Sequence, residues 1–374
     1  MKSLASPQFL ALALSLAGVA LPLHAYDLRP DAYYVDPSDN LQRVLDLAAT
    51  NPAQKTIKFQ AGTYRPTAPG LALMYLNRRH DGLQLIGLGR PVLTAANTNV
   101  ANPRAPSFPA IVNHVIYLGD GLSSNTVVRH FQLTGANHFV TNSLPEAVEP
   151  DHSLKKGRFY FGDGGAIKIY HRSYPVLRDL EIIDNYASPC AGGISIQHEG
   201  ATNRFVLIED CVFRRNRAEV TGAALDLLWG SHARVVNCLF EGNVSNTGPG
   251  EGENPFNNNG AITVFPRSRL VLDRCTLTGN RNGLDDQSGL GQYTRCIFAG
   301  NRAPGGLPGL PRFELDLPLG ASVRDCVLAG TVIDPQGSVP AGAIRPNPPG
   351  VSLDTRGAPV GSELAEQGYR PPAP

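Results

Sequence analysis

From residue 164 onward, apolar and polar positions alternate in short bursts, and the bursts recur. Five segments share one phrase: GGAIKIYHRSYPVLRDLEIIDN, GGISIQHEGATNRFVLIEDCVFRRN, GAALDLLWGSHARVVNCLFEGN, GAITVFPRSRLVLDRCTLTGN and the degenerate GLDDQSGLGQYTRCIFAGN. A partial sixth ends in VRDCVLAG. A period of two predicts strands with one face in the core. Leu180, Cys211, Cys238, Cys275 and Cys296 each stand five residues before an asparagine: Asn185, Asn216, Asn243, Asn280 and Asn301. The spacing between copies varies, but the phrase does not. A constant unit with variable connections predicts an all-β stack of coils, each a supersecondary unit that buries its apolar face against its neighbours.

Alternation assigns faces within a coil. Ile167 and Ile169, Ile194 and Ile196, Leu225 and Leu227, and Ile262 and Val264 point inward. Lys168, Ser195, Asp226 and Thr263 then form an outward column, with strands about 4.8 Å apart. Tyr170, Gln197, Leu228 and Phe265 form the next column, and Ala166, Gly193, Ala224 and Ala261 a small-residue floor. The asparagines predict a ladder of stacked amides that satisfies turn backbone. That would make the Asn243-Val244-Ser245 acceptor inaccessible to glycosylation. Stacked cysteines share one side-chain direction, poor geometry for a disulfide, so they read as buried thiols. Cys190 is off this pattern, in a loop, and is the candidate for reactivity or pairing.

Upstream, Leu41, Val44, Leu45 and Ala48 fall on one face of a short helix through about Ala49, with Ser38 or Asp39 as cap. The strand TIKFQAGTY follows, then DGLQLIGLGRPVLTA, VIYLGDG and NTVVRHFQLTG as earlier coils. Two insertions, 136–163 and 244–259, interrupt the scaffold between an asparagine-ended strand and the next coil. Long loops on repetitive scaffolds commonly carry function. Residues 334–374 are rich in Pro and Gly without periodicity and read as an irregular tail.

Residues 1–25 have the form of a secretory signal: Lys2, an apolar run from Phe9 to Leu21, and Leu23-His24-Ala25 before Tyr26. Export to the periplasm or outside the cell is expected. No later segment is apolar enough to span a bilayer, so no membrane insertion is expected. The formal net charge is +1, which gives no field for nucleic acid. There is no phosphate loop, Cys/His zinc spacing or serine nucleophile elbow.

The repeats GGAI…NC-x-F-x-GN, opened by DNLQRVLDLA…TIKFQAGTY, resemble the pectin lyase-like superfamily of single-stranded right-handed parallel β-helices. They are closest to repeats of secreted bacterial β-helix proteins and polymorphic outer-membrane proteins. The resemblance spans about residues 30–330, so the β-helix domain is expected over 26–333. It implies that the 40–49 helix caps the solenoid and that the outward first-strand face binds extended sugar chains. The Asn-Thr-Asp, Gly-His-Gly and Arg-Ile-Lys motifs of polygalacturonases are absent, and a fold alone does not fix an activity.

Asp226, in the apolar string ALDLLWG, is the lead candidate for an acid, base or cation ligand. Lys168 could neutralise a substrate carboxylate, and His198 could carry a proton near neutral pH. Tyr170, Gln197, Phe265, Trp229, Asp163 and Asp285 are candidate substrate contacts. The competing reading of Asp226 is a solvated residue or an ion-pair partner of Lys168 or Arg267. The expected function is a monomeric, secreted, polysaccharide-binding protein; whether it cleaves the polymer is left open by the sequence, and as an enzyme it would be a lyase or hydrolase. The alternatives are a non-catalytic adhesin and a calcium-stabilised binding protein. The acidic residues of the insertions offer oxygen ligands for calcium without the spacing of a calcium loop.

Overall fold

The computed structural model describes residues 26–141, 161–200, 202–248, 259–304, 311–344, 352–360, 364 and 366–372. The expected signal sequence and most of both insertions lie outside the described residues. Among them, the chain forms long parallel sheets: one of nine strands and one of eighteen, with a two-stranded piece beside them. The strands pair in parallel except where Asp27–Leu28 meets Tyr33–Val35, and two isolated bridges, Ala96 to Ala110 and Leu353 to Pro359, are antiparallel. The arrangement is solenoid-like and compatible with a β-helix.

Each repeat gives one strand to the nine-stranded sheet and two to the other, except the first, whose two are merged in the single strand Val176–Ile183. One coil contributes Leu225–Leu227, then His232–Val236, then Leu239–Glu241. Registers match the sequence phrase: Ile167 pairs with Ile194, Ile194 with Leu225, and Leu225 with Ile262. These residues fill one continuous apolar core. At the floor position Gly193, a Cβ would sit 2.2 Å from the Ala224 carbonyl oxygen, so the close approach of two coils requires glycine.

Two corners per coil are made by left-handed residues. Asp210, Asn237, Arg274 and Arg295 have φ of 52–56° and stand immediately before Cys211, Cys238, Cys275 and Cys296. Asp184, Arg215, Gly242, Gly279 and Gly300 do the same before the five asparagines. Asp, Asn and Gly tolerate this region, while arginine there is held by its surroundings. Cys211, Cys238, Cys275, Cys296 and Cys326 are free, buried thiols.

The second corner exposes backbone groups that only side chains can reach. Asn216 Nδ2 donates to Asn243 Oδ1 at 3.0 Å, Asn243 Nδ2 to Asn280 Oδ1 at 2.9 Å, and Asn280 Nδ2 to Asn301 Oδ1 at 2.7 Å. Asn185 joins at the other end, donating to Asn216 Oδ1 at 3.1 Å. The last rung is not an asparagine. Asn301 donates to the buried carboxylate of Glu314 through both its backbone N–H and Nδ2.

The helix Leu41–Thr50 buries Leu41, Val44, Leu45 and Ala48, which join the core. Its N-cap is Asn40, not Ser38 or Asp39: the Asn40 side chain accepts from the Arg43 N–H. Asp39 is used one turn earlier, accepting from the Asp36 N–H.

After the last strand, Val332–Ile333, the tail returns along the outside of the eighteen-stranded sheet. Leu364 packs on Ile297, Ala299 and Val327, and Tyr369 on Val212 and Leu239. Asn237 and Arg370 exchange two hydrogen bonds of 2.7 Å. Deleting residues from 352 onward uncovers these side chains. The expected loss is on the order of 3 kcal/mol, with increased self-association. Urea unfolding and light scattering of the shortened chain measure both.

Candidate functional site

The outward face of the nine-stranded sheet carries a column in strict register. Lys168 pairs with Ser195, Ser195 with Asp226, Asp226 with Thr263, Thr263 with Asp285, and Asp285 with Asp316. Adjacent members are about 4.8 Å apart along the stack. All six are buried. This differs from a solvent-lined groove, because turn segments of the same coils fold over the face. Cys190 and Thr221, which pair across neighbouring coils, and Asp163 lie over it.

The side chains form a polar network. Lys168 Nζ donates to Ser195 Oγ at 3.0 Å and Gln197 Oε1 at 3.2 Å, and stands 3.9 Å from Asp163 Oδ2. Its ion pair is with Asp163 rather than Asp226. Burial lowers the Lys168 pKa, and Asp163 opposes that shift. Asp163 also accepts the Cys190 N–H at 3.1 Å. Thr221 donates to Asp226 Oδ2 at 2.7 Å, while the buried Oδ1 has no hydrogen-bond partner among the described residues. Burial pushes the Asp226 carboxyl up to about 7, against the pull of the Thr221 hydroxyl. Asp285 is pushed well above the carboxylate range by burial and then by Asp316.

The other candidates separate from this network. His198 is buried, but both ring nitrogens are committed to backbone: Nε2 lies 3.0 Å from Ser173 O, and Nδ1 accepts from the His232 N–H at 3.3 Å. Burial holds its pKa down at about 4. A structural turn residue fits this geometry better than a proton carrier. Gln197 touches Lys168, and Tyr170, half-buried, donates to Glu199 at 2.8 Å. Phe265 is buried, with Trp229 beside it at 5.9 Å, and Trp229 is 50% exposed at the strand ends. Arg267 lies over Trp229, not against Asp226.

Sequence reasoning missed Thr221 and His114 and set Cys190 apart from the column. Thr221 precedes the repeat strand and had no phrase to mark it. Cys190 is buried beside Asp163 and Asp226, its thiol pushed up by burial, so it is neither exposed nor paired. His114, fully buried on the Val112–Leu118 strand, places Nδ1 2.9 Å from Gly164 O. Burial holds it neutral, with a pKa of about 3, and the charge of Lys168 acts in the same direction. Its Nε2 has no hydrogen-bond partner among the described residues.

The ends of both insertions are tied down. Asn113 accepts from the Thr141 N–H at 3.0 Å and donates to Phe161 O at 2.8 Å. Ser245 donates to Asn259 O at 3.0 Å, and Asn259 donates to Asn246 at 2.8 Å. Among the described residues no group of three or more His, Cys, Asp or Glu is arranged to hold a metal ion, and no helix is long and apolar enough to cross a membrane.

No family model, curated protein or solved structure matches this chain. Fold and site therefore define the class in coarse terms: an all-β protein of stacked parallel strands with one buried column of ionisable groups.

Proposed function

We propose that this chain is an exported, carbohydrate-active protein built as a right-handed, pectin lyase-like β-helix with the Leu41–Thr50 helix as its cap. It binds a polysaccharide on the outward face of the nine-stranded sheet and cleaves it by acid–base chemistry. One observation carries the reading: Lys168, Asp226, Asp285 and Asp316 stack in a single register with Asp226 and Asp285 raised well above the carboxylate range. Carboxyls with raised pKa values beside a buried cation are concentrated at functional sites.

Asp226 near 7 suits a general acid or base at neutral pH. Asp226 and Asp285 are two strands apart, roughly 9–10 Å between backbones, near the upper end of the carboxyl separation that an inverting hydrolysis uses. Lys168 supplies the cation that an elimination would need. Because the column is covered, substrate reaches it only when the segments over the face part.

A second reading has its own support. Lys168 is fully engaged by Ser195, Gln197 and Asp163, as expected of a structural network in a non-catalytic binding module. The discriminating experiment incubates the mature protein with neutral and acidic polysaccharides and follows both unsaturated products and new reducing ends. Either product supports cleavage and identifies lyase or hydrolase. Neither product from any polymer leaves the binding module. Export is tested by N-terminal sequencing of secreted protein, which should begin at Tyr26, and the monomeric state by light scattering.

A further inference from the structure

One edge of the stack, where strands of the nine-stranded sheet turn into the other sheet, has no part in the network above. Three arginines there each place a guanidinium over an aromatic ring. Arg204 lies 5.6 Å from the centre of Tyr174, Arg267 5.8 Å from Trp229, and Arg269 5.6 Å from Phe205. Elsewhere on the surface Arg178, Arg214, Arg215 and Arg295 each pair with a carboxylate of a neighbouring coil. Among the described residues, Arg204, Arg267 and Arg269 form no such pair. Among the described residues the edge therefore holds three cations without an ion-pair partner, next to a large ring that is half exposed.

This combination selects a ligand class. A guanidinium stacked on a ring keeps its in-plane N–H donors free at the rim, and their fork matches a carboxylate or sulfate. The uncovered face of Trp229 offers an apolar platform for the C–H face of a sugar ring. The residues come from three successive coils, Arg204 from the first, Trp229 from the second and Arg267 and Arg269 from the third, so the surface runs along the stack axis for about 10 Å. That suits a linear chain that carries negative charge on either side of the ring. Nucleic acid is the weaker match, because the whole chain carries a net charge of only +1 and provides no long-range field for a phosphate backbone.

We propose that this edge is a second binding surface, for an acidic polysaccharide bearing carboxylate or sulfate groups, read by Arg204, Arg267, Arg269 and Trp229. It rests on the reading above only in taking a glycan as the ligand, and it does not require turnover. It would hold the polymer beside the covered column.

The test is native electrophoresis of the full chain through gels containing polygalacturonate, alginate or chondroitin sulfate, with dextran as the neutral control. Retardation is expected in at least one acidic gel and not in dextran, weakening as salt is raised. Trp229→Ala and Arg267→Glu should each reduce apparent affinity at least about 5-fold, with unchanged melting because both side chains are exposed. Asp226→Asn should be retarded like the wild type. Loss of turnover with retained retardation keeps this surface and tests the column alone. No retardation in any acidic gel overturns the proposal. So does retardation of both edge variants equal to that of the wild type, or tighter binding of a single-stranded oligothymidylate measured by anisotropy.

Discussion

Asn243→Leu is expected to cost about 4–5 kcal/mol, more than a single hydrogen bond accounts for. Asn243 Oδ1 accepts from both the N–H and Nδ2 of Asn216, at 3.0 Å each. Its Nδ2 donates to Phe213 O at 3.0 Å and to Asn280 Oδ1 at 2.9 Å. Leucine removes all four bonds and leaves the former partners buried without water. An unsatisfied buried polar group costs about 1–3 kcal/mol, and relaxation recovers part of that. The loss also falls on two interfaces at once, between the coils of Asn216 and Asn243 and between those of Asn243 and Asn280, in a stack whose stability is built from neighbour contacts. Urea unfolding measures it, with the exposed Arg234→Ala as a control expected within about 0.5 kcal/mol of the wild type. A midpoint for Asn243→Leu equal to that control would mean that the ladder carries no stability.

The ladder and the registers were legible because each coil repeats its own constraints. Alternation placed Ile167, Ile194, Leu225 and Ile262 inward, and one phrase repeated five times made the asparagine position conspicuous. Where a role is filled once, the phrase is silent. Glu314 ends the ladder from an irregular copy, and its longer side chain reaches Asn301 from a position that no alignment of repeats marks. Asn40 competes for the helix cap with two equally good neighbours, and only backbone geometry decides among them.

The candidate site was legible in composition but not in environment. The members of the column follow from period two, so Lys168, Asp226 and Asp285 share a face as alternation requires. Their burial follows from turn segments of the same coils closing over them, an arrangement that the repeated phrase does not mark. That closure turns an ordinary surface aspartate into one titrating near 7. The same closure hides Cys190 and brings in Thr221 and His114, which lie outside the repeated phrase. For His198, the polar neighbourhood suggested chemistry, and its two backbone hydrogen bonds account for it instead.

Asp226→Asn separates chemistry from folding, because its two expected effects have opposite signs. The amide keeps the shape and still accepts from Thr221, but it cannot exchange a proton. Any turnover should fall at least about 100-fold, the usual scale for a lost general acid or base. Stability should rise, and only at higher pH. The folded carboxyl titrates near 7, whereas an aspartate in the unfolded chain titrates near its ordinary value of about 3.9. Between these values the folded protein holds a proton that the unfolded chain releases. The stabilisation from that proton is therefore complete below about pH 4 and is lost as pH rises through about 7. Above that, burying the ionised carboxylate costs about 4 kcal/mol, a figure that already contains the attraction of Lys168. Asparagine carries no such cost. Urea unfolding of both proteins should give nearly equal stabilities near pH 4 and an advantage of about 2–4 kcal/mol for the variant near pH 8. A difference that does not change with pH would mean that Asp226 ionises in the folded protein as it does in the unfolded one. Lost turnover together with that pH-dependent gain is the signature of a buried acid kept for its proton.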